Sequence, residues 1–355
     1  MIPVCEPSLS IKEYIYTLRV LRSNWLTCGG QFVNRFEQGI ADYHKAKYGV
    51  ALSSGTAALH MALLALGIGK GDEVIVPSLS FVAGASMVKF VGATPVIVDV
   101  NKDDWLITQD SIEQAITGMT KAIIPVHLYG NNCNMDALRS TANRYNLWLI
   151  EDTCEAVGTP LVGDIACLSF QSTKTLCVGE GGMCITNNKI VADRIRFLKD
   201  HAMTAERKYY HTEVGFNYRM TEYAAAIGCA QLERLDKLLS RKREIYSIYY
   251  NILKDIEGIT LQRYNQGSQH WVTAILVEPS FGISRDGLMA KLKEAGIETR
   301  VMFYPIHLQP PYREFARECP VAAELSSKGM YLPSGVNLRK SQVEYICNII
   351  KECRK

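Results

Sequence analysis

The chain of 355 residues carries 39 lysine and arginine residues against 36 aspartate and glutamate residues, a formal net charge of +3. With 48% hydrophobic and 21% charged residues, its composition is that of a folded globular protein, which excludes an intrinsically disordered chain. The small net charge gives no support to a nucleic-acid partner, because proteins that bind nucleic acids carry a strongly basic surface.

The first half of the chain alternates strand-like and helix-like segments. We predict strands at 48–52, 73–77, 95–98, 121–126 and 147–150, and helices at 57–66, 81–90 and 135–145. Strands that alternate with helices predict a mostly parallel sheet covered by helices on both faces. Ligands of such folds collect at the carboxyl ends of the strands.

The pattern changes after residue 220. Residues 221–253 contain no proline and show near-helical apolar spacing, which predicts one long helix that leads out of the first domain. Shorter mixed elements follow, with a strand near 271–277, a helix near 286–295, a proline-rich stretch at 305–311 and a closing helix from Ser341. We therefore predict a large α/β domain at 1–235 and a smaller α+β domain at 236–355.

Membrane spans and secretion signals are not expected, since no apolar stretch approaches about 20 residues and the N-terminus lacks a basic region followed by an apolar one. The eleven cysteines form no CxxC pair. Free thiols in a reducing compartment are the simplest interpretation, so we expect a cytoplasmic protein.

The first candidate for a binding motif is the turn Ser-Ser-Gly-Thr at 53–56, between a strand and a helix. A helix N-terminus offers free N–H groups and a favourable dipole to an anion, and Gly55 lets a ligand approach the backbone. The same residues also suit an ordinary helix N-cap. The turn matches neither a P-loop nor a dinucleotide-binding motif.

Asp152 is the second candidate, directly after the apolar strand at 147–150. A carboxylate at the end of a buried strand is costly without a positive partner. That partner could be a protonated ring nitrogen or an ordinary salt-bridge residue. No histidine or cysteine ligand pattern converges here, so no metal site is expected.

Lys174 is the third candidate, in the stretch SFQSTK at 169–174, with a glycine-rich segment at 179–182. A desolvated lysine is the usual Schiff-base nucleophile, although a lysine in a loop is more often a plain surface residue. An anion turn, an acid, a lysine and an aromatic ring such as Phe81 together describe what pyridoxal phosphate (PLP) requires of a protein. Phe81 could equally be a core residue.

These motifs resemble those of the DegT/DnrJ/EryC1/StrS sugar aminotransferases. The resemblance covers the region from Trp25 to Pro333, and its most specific stretches are SSGTAALHMALLALGIGKGDEVIVPSLSFVA, VHLYG, IEDTCEAVG, GDIACLSFQSTKTLCVGEGG and GFNYRMTEYAAAIGCAQLERLD. The resemblance implies a PLP-dependent aminotransferase of fold type I, with a large, mostly parallel sheet domain and a smaller α+β domain at the C-terminus. It also implies a homodimer with shared active sites.

The resemblance assigns cofactor roles to single residues. Lys174 matches the lysine that bonds to the cofactor and carries protons, and Asp152 matches the partner of the pyridine nitrogen. The remaining contacts implied on the same protomer are the phosphate ligands Gly55, Thr56 and Ser169, the stacking ring Phe81, and Glu155 against the other face of the cofactor.

Two further groups of residues are implied for the dimer and the substrate. Asn217 matches a residue that reaches the neighbouring subunit's phosphate, and Arg219 matches an anchor for the amino donor or the sugar. Tyr304, His307 and Tyr312 would line the sugar-nucleotide side, although they could equally form a structural proline-rich turn.

The stretch GIETRVMFYPIHLQPPY, together with VHLYG and the GFNYRM region, looks most like enzymes of the perosamine-synthase type. These move the amino group of L-glutamate to C4 of a nucleotide-linked 4-keto-6-deoxyhexose for deoxyaminosugar and lipopolysaccharide O-antigen biosynthesis. A viosamine-type enzyme using UDP or dTDP, a 3-aminotransferase and a non-catalytic regulatory protein remain alternatives. One branch of the family has histidine in place of the lysine and dehydrates sugars, so Lys174 favours transamination.

Overall fold

The computed structural model describes residues 1–204 and 206–354. The helices are α1 (Ile11–Ser23), α2 (Gln31–Tyr43), α3 (Gly55–Ala65), α4 (Ala83–Phe90), α5 (Gln109–Glu113), α6 (Met135–Arg144), α7 (Lys189–Lys199), α8 (Glu222–Leu232), α9 (Leu235–Leu253), α10 (Arg285–Glu294), α11 (Pro320–Lys328) and α12 (Lys340–Glu352). The strands are β1 (Tyr48–Leu52), β2 (Glu73–Pro77), β3 (Thr94–Val98), β4 (Thr120–Ile123), β5 (Trp148–Asp152), β6 (Ile165–Ser169), β7 (Gly182–Thr186), β8 (Ile259–Leu261), β9 (Thr273–Val277), β10 (Arg300–Val301) and β11 (Gly329–Leu332).

Seven strands form the large sheet, in the order β1-β7-β6-β5-β4-β2-β3. The pairs from β6 to β3 are parallel, and β7 runs antiparallel to both of its neighbours. The prediction of a mostly parallel sheet is therefore confirmed. Because β7 is antiparallel to both β1 and β6, these two strands point the same way as β5, and the residues after all three strands meet at one edge.

Helices cover both faces of this sheet. The side chains of β1 alternate, so Val50 and Leu52 join the core formed with α3 to α7, whereas Ala51 joins the core formed with α1, α2 and α8. This alternation follows from the two-residue period of a strand. It leaves the loops at the strand ends as the place where polar side chains can converge.

The second sheet is antiparallel, with the order β10-β11-β9-β8, and it packs with α9, α10 and α12 around a separate apolar core. The first residues of the chain lie against this C-terminal part. Ile2 pairs with Ile297, and the Val4 N–H donates to Glu298 Oε2 at 3.0 Å. The division into domains at 1–235 and 236–355 stays a prediction, with Ala205 and Lys355 outside the described residues.

The prediction of one long helix at 221–253 is wrong, because the structure has α8 and α9 with a break at Glu233 and Arg234. Both residues at the break are held by α1 and the segment before it. Glu233 pairs with Lys12, and Arg234 pairs with Glu13. A break of two residues leaves the apolar periodicity almost unchanged, so spacing alone does not reveal it.

The sequence analysis also left the helices α1, α2, α5, α7 and α11 and the strands β6, β7, β8, β10 and β11 unassigned. The predicted strand at 121–126 is shorter in the structure, where β4 ends at Ile123. Among the described residues, no helix is long and apolar enough to cross a membrane. All eleven cysteines are free thiols.

Candidate active site

A cavity of about 420 Å³ lies at the edge of the large sheet where β1, β5 and β6 end. It brings together seven of the residues predicted for the cofactor: Gly55, Thr56, Phe81, Asp152, Glu155, Ser169 and Lys174. We call Gly55, Thr56, Asp152, Glu155, Ser169 and Lys174 the motif wall of the cavity, because all of them come from the sequence motifs at these strand ends.

The turn after β1 is tightly packed. Ser54 caps α3 by accepting a hydrogen bond from the Ala57 N–H at 3.1 Å. A methyl group on Gly55 would lie 2.8 Å from both Cys154 Sγ and Ser169 Cβ, so only glycine fits there. The free N–H groups of the helix N-terminus therefore open into the cavity beside Ser169, which suits a phosphate group.

Asp152 is buried at the carboxyl end of β5 and lines the same cavity. Its Oδ1 accepts a hydrogen bond from the Cys154 N–H at 3.1 Å, which orients the carboxylate. A buried carboxylate that faces a cavity favours a positively charged group there. A protonated pyridine nitrogen meets that requirement.

Lys174 and Glu155 meet in the same motif wall, with 3.4 Å between Lys174 Nζ and Glu155 Oε1. Glu155 Oε2 accepts a hydrogen bond from the Tyr129 N–H at 2.7 Å. Burial raises the pKa of Glu155, and the nearby Lys174 partly opposes that rise. The VHLYG motif, which contains Tyr129, thus supports the acid that lies next to the lysine.

Phe81 has 56% of its surface exposed although it is a large apolar residue, and its ring lies against Phe303 at 5.8 Å between centroids. An exposed ring at a cavity wall can stack on a planar ligand. The donor set of this cavity therefore fits PLP: a phosphate cradle, a carboxylate, an amine and an aromatic face.

Asn217 and Arg219 lie outside the lining of this cavity. Arg219 Nε donates to Asn217 Oδ1 at 3.0 Å, and its Nη1 pairs with Asp200 at 2.8 Å. The segment nevertheless runs beside the anion turn, because the Ser53 N–H donates to the Tyr218 carbonyl at 2.9 Å. Asn217 is exposed, and its predicted role at a neighbouring subunit stays a prediction.

The three residues predicted for the sugar-nucleotide side are not brought to the cavity. Tyr304 is exposed and lines a shallower groove next to it. His307 and Tyr312 are buried, and they contact Ser78 and Ser86 through hydrogen bonds of 2.6 Å each. The hydrogen bonds of His307 and Tyr312 favour the structural alternative for these two residues. The assignment of Tyr304 to the sugar-nucleotide side stays a prediction.

No cluster of three or more histidine, cysteine, aspartate or glutamate residues that could hold a metal ion occurs within residues 1–204 and 206–354.

The model of the DegT/DnrJ/EryC1/StrS aminotransferase family matches residues 9–351, almost the full length of the chain. The chain belongs to this family. The sugar-aminotransferase resemblance of its motifs is thereby confirmed, as is the fold expected from it.

Relatives of this aminotransferase family match over nearly the whole chain. GDP-perosamine synthase of Escherichia coli O157:H7 is 41% identical, with 99% of this chain and 98% of the relative covered. GDP-perosamine synthase of Vibrio cholerae is 38% identical over the same shares of both chains.

Solved structures of other aminotransferases share the fold. An aminotransferase from Psychrobacter cryohalolentis superposes with a TM-score of 0.92 at 28% identity, covering 98% of this chain and 97% of that chain. Spr1654 from Streptococcus pneumoniae in its PLP-form superposes with a TM-score of 0.92 at 27% identity, over the full length of both chains.

Sequence reasoning missed the other side of the cavity in this aminotransferase. We call Trp271, Arg300, Phe303 and Tyr331 the C-terminal wall, and Val4 and Cys5 complete it from the chain's beginning. None of these residues belongs to a motif at a strand end of the large sheet. The signal that could have found Arg300 and Phe303 is their position inside GIETRVMFYPIHLQPPY, the stretch that carries the perosamine-synthase resemblance but from which only three later residues were assigned to the site.

Proposed function

We propose that this protein is a PLP-dependent aminotransferase that moves the amino group of L-glutamate to C4 of a nucleotide-linked 4-keto-6-deoxyhexose, as a GDP-perosamine synthase does. The observation that carries the proposal is the convergence of Lys174, Asp152 and the Gly55 turn on one cavity. The relatives at 38–41% identity support the choice of sugar substrate.

PLP supplies an electron sink at the substrate carbon and an aldehyde that a lysine can bond to. The chain supplies the rest. The N-terminus of α3 and Ser169 would hold the phosphate, and Asp152 would favour a protonated pyridine nitrogen. Lys174 Nζ would take up and return the proton of the substrate carbon, a general acid–base role for which a free amine inside the cavity is required.

The assembly is part of the proposal. We infer a homodimer in which Asn217 of each subunit contacts the phosphate site of the other. Its support is the exposed position of Asn217 beside the anion turn, outside its own subunit's cavity. Arg219, held next to Asn217, would anchor a carboxylate from the same side.

An absorption spectrum tests the donor half-reaction. Purified protein with added PLP should show the visible band of lysine-bound cofactor, and L-glutamate should convert it to the band of the aminated cofactor. Adding the keto sugar should then restore the first band. Lys174→Ala should fold normally and give no glutamate-dependent change, because the amine that bonds and carries protons is gone. A band that ignores glutamate in the unsubstituted protein would contradict the proposal.

A further inference from the structure

Trp271, just before β9, is held at three polar points while its side chain lines the cavity. Only 5% of its surface is exposed. Its backbone N–H donates to the Tyr129 carbonyl at 3.0 Å, and its carbonyl accepts from Lys242 Nζ at 2.7 Å. Its indole Nε1 donates to the Thr173 carbonyl at 2.8 Å. The indole plane therefore has little freedom to move.

The face of this indole meets the amine of the candidate catalytic lysine. Lys174 Nζ lies 3.8 Å from the Trp271 ring centroid, well inside the range of about 6 Å in which a cation and an aromatic ring attract each other. The same Nζ lies 3.4 Å from Glu155 Oε1. A ring face and a carboxylate thus bracket the amine from two directions.

The backbone of Trp271 is held by Lys242, whose burial costs free energy. This lysine of α9 is buried, and its Nζ donates to the carbonyls of Trp271 and Ser334 at 2.7 Å each. Burial lowers the pKa of Lys242, because a charged amine loses its hydration there. Two carbonyl groups offset less of the desolvation cost of the Lys242 amine than a carboxylate would. The arrangement therefore fixes the Trp271 backbone but contributes little to stability.

We propose that Trp271 is a positioning residue for Lys174. Its indole face holds the lysine amine beside Glu155, and its indole N–H anchors Thr173, the residue before the lysine. The inference rests on the proposed role of Lys174 in transamination. A lysine that carries protons has to occupy one defined place whenever it is free. Trp271, which is far from Lys174 along the chain, defines that place through its indole face and its hydrogen bond to Thr173.

Two variants separate the ring from its hydrogen bond. Trp271→Phe keeps an aromatic face and loses the N–H that reaches Thr173. Trp271→Leu loses both. The charged groups that line the cavity with Lys174 are Asp152, Glu155, Glu180 and Arg300, and Lys242 lies nearby at the Trp271 carbonyl. Both variants leave these groups in place, so a difference between the variants reports on the ring.

The measurement is the rate at which acetic anhydride modifies Lys174, followed by mass spectrometry across a pH series on the full chain without added PLP. An aromatic face stabilises the protonated amine, so its removal lowers the midpoint of the pH profile. At a pH below both midpoints, Trp271→Leu should react about tenfold faster than the unsubstituted protein, and Trp271→Phe should stay close to it. Equal midpoints in all three proteins would overturn the proposal, even if easier access changes the plateau rate.

A second measurement needs no change at Trp271. In protein labelled with 5-fluorotryptophan, the fluorine resonance that is missing from Trp271→Phe should shift through the same midpoint as the modification of Lys174. The chemical shift of this resonance should not change with pH in Lys174→Met. A pH-dependent shift that persists in that variant would contradict the contact between Lys174 and Trp271. Neither measurement uses glutamate, so their failure leaves the spectral test of the aminotransferase function unaffected, and the reverse also holds.

Discussion

The two walls of the cavity differ in how the chain builds them. The motif wall comes from short turns directly after β1, β5 and β6, where three strands of one sheet end at the same edge. The C-terminal wall comes from separate elements that are distant along the chain, and it contains mostly aromatic side chains. The motif wall is thus set by the strand ends of one sheet, whereas the C-terminal wall depends on residues that lie far apart along the chain.

The largest effect that we expect in the motif wall, beyond loss of the lysine, follows from Asp152→Asn. The asparagine Oδ1 can still accept from the Cys154 N–H, so the local structure should persist. The negative charge that favours a protonated pyridine nitrogen is lost. The rate of the glutamate half-reaction, read by stopped-flow absorbance, should fall about a hundredfold or more. An unchanged rate would remove Asp152 from its proposed role.

A smaller effect should follow from Gly55→Ala, which tests how closely the turn is packed. The added methyl group would lie 2.8 Å from two neighbouring atoms, so we expect a loss of about 1–3 kcal/mol in the free energy of unfolding and weaker PLP binding. Gly118→Ala is the matched control, because nothing lies within 4 Å of its methyl group. Urea unfolding and a PLP titration measure both quantities. Equal behaviour of the two variants would show that the turn is not tightly packed.

The smallest effect should come from Tyr312→Phe, which tests the assignment of the proline-rich turn to structure. The variant loses the hydrogen bond of 2.6 Å to Ser86 and should lower the free energy of unfolding by about 1 kcal/mol. The KM values for both substrates should not change, because Tyr312 is buried away from the cavity. A several-fold rise in KM for the sugar with unchanged stability would return Tyr312 to the substrate side.

The motif wall could be predicted from the sequence, whereas the C-terminal wall could not. Asp152 was predictable because it follows a predicted strand, and parallel strands bring their carboxyl ends together. Lys174 was predictable from the stretch SFQSTK and the glycine-rich segment that follows it. Trp271 was not, because its approach to Lys174 depends on Lys242 and Tyr129, which no local pattern connects to it. The break between α8 and α9 was missed for a similar reason, since the ion pairs of Glu233 and Arg234 with α1 are contacts over a long sequence separation.

The hydrogen bond between the Val4 N–H and Glu298 has a consequence for co-translational folding. These residues are 294 positions apart, and both Val4 and Cys5 line the cavity. Gly55 and Lys174 are made in the first half of translation, whereas Trp271, Arg300, Phe303 and Tyr331 of the opposite wall are made only toward its end. Since N-terminal segments generally fold first during synthesis, the nascent chain should leave Lys174 exposed until these four residues have been made.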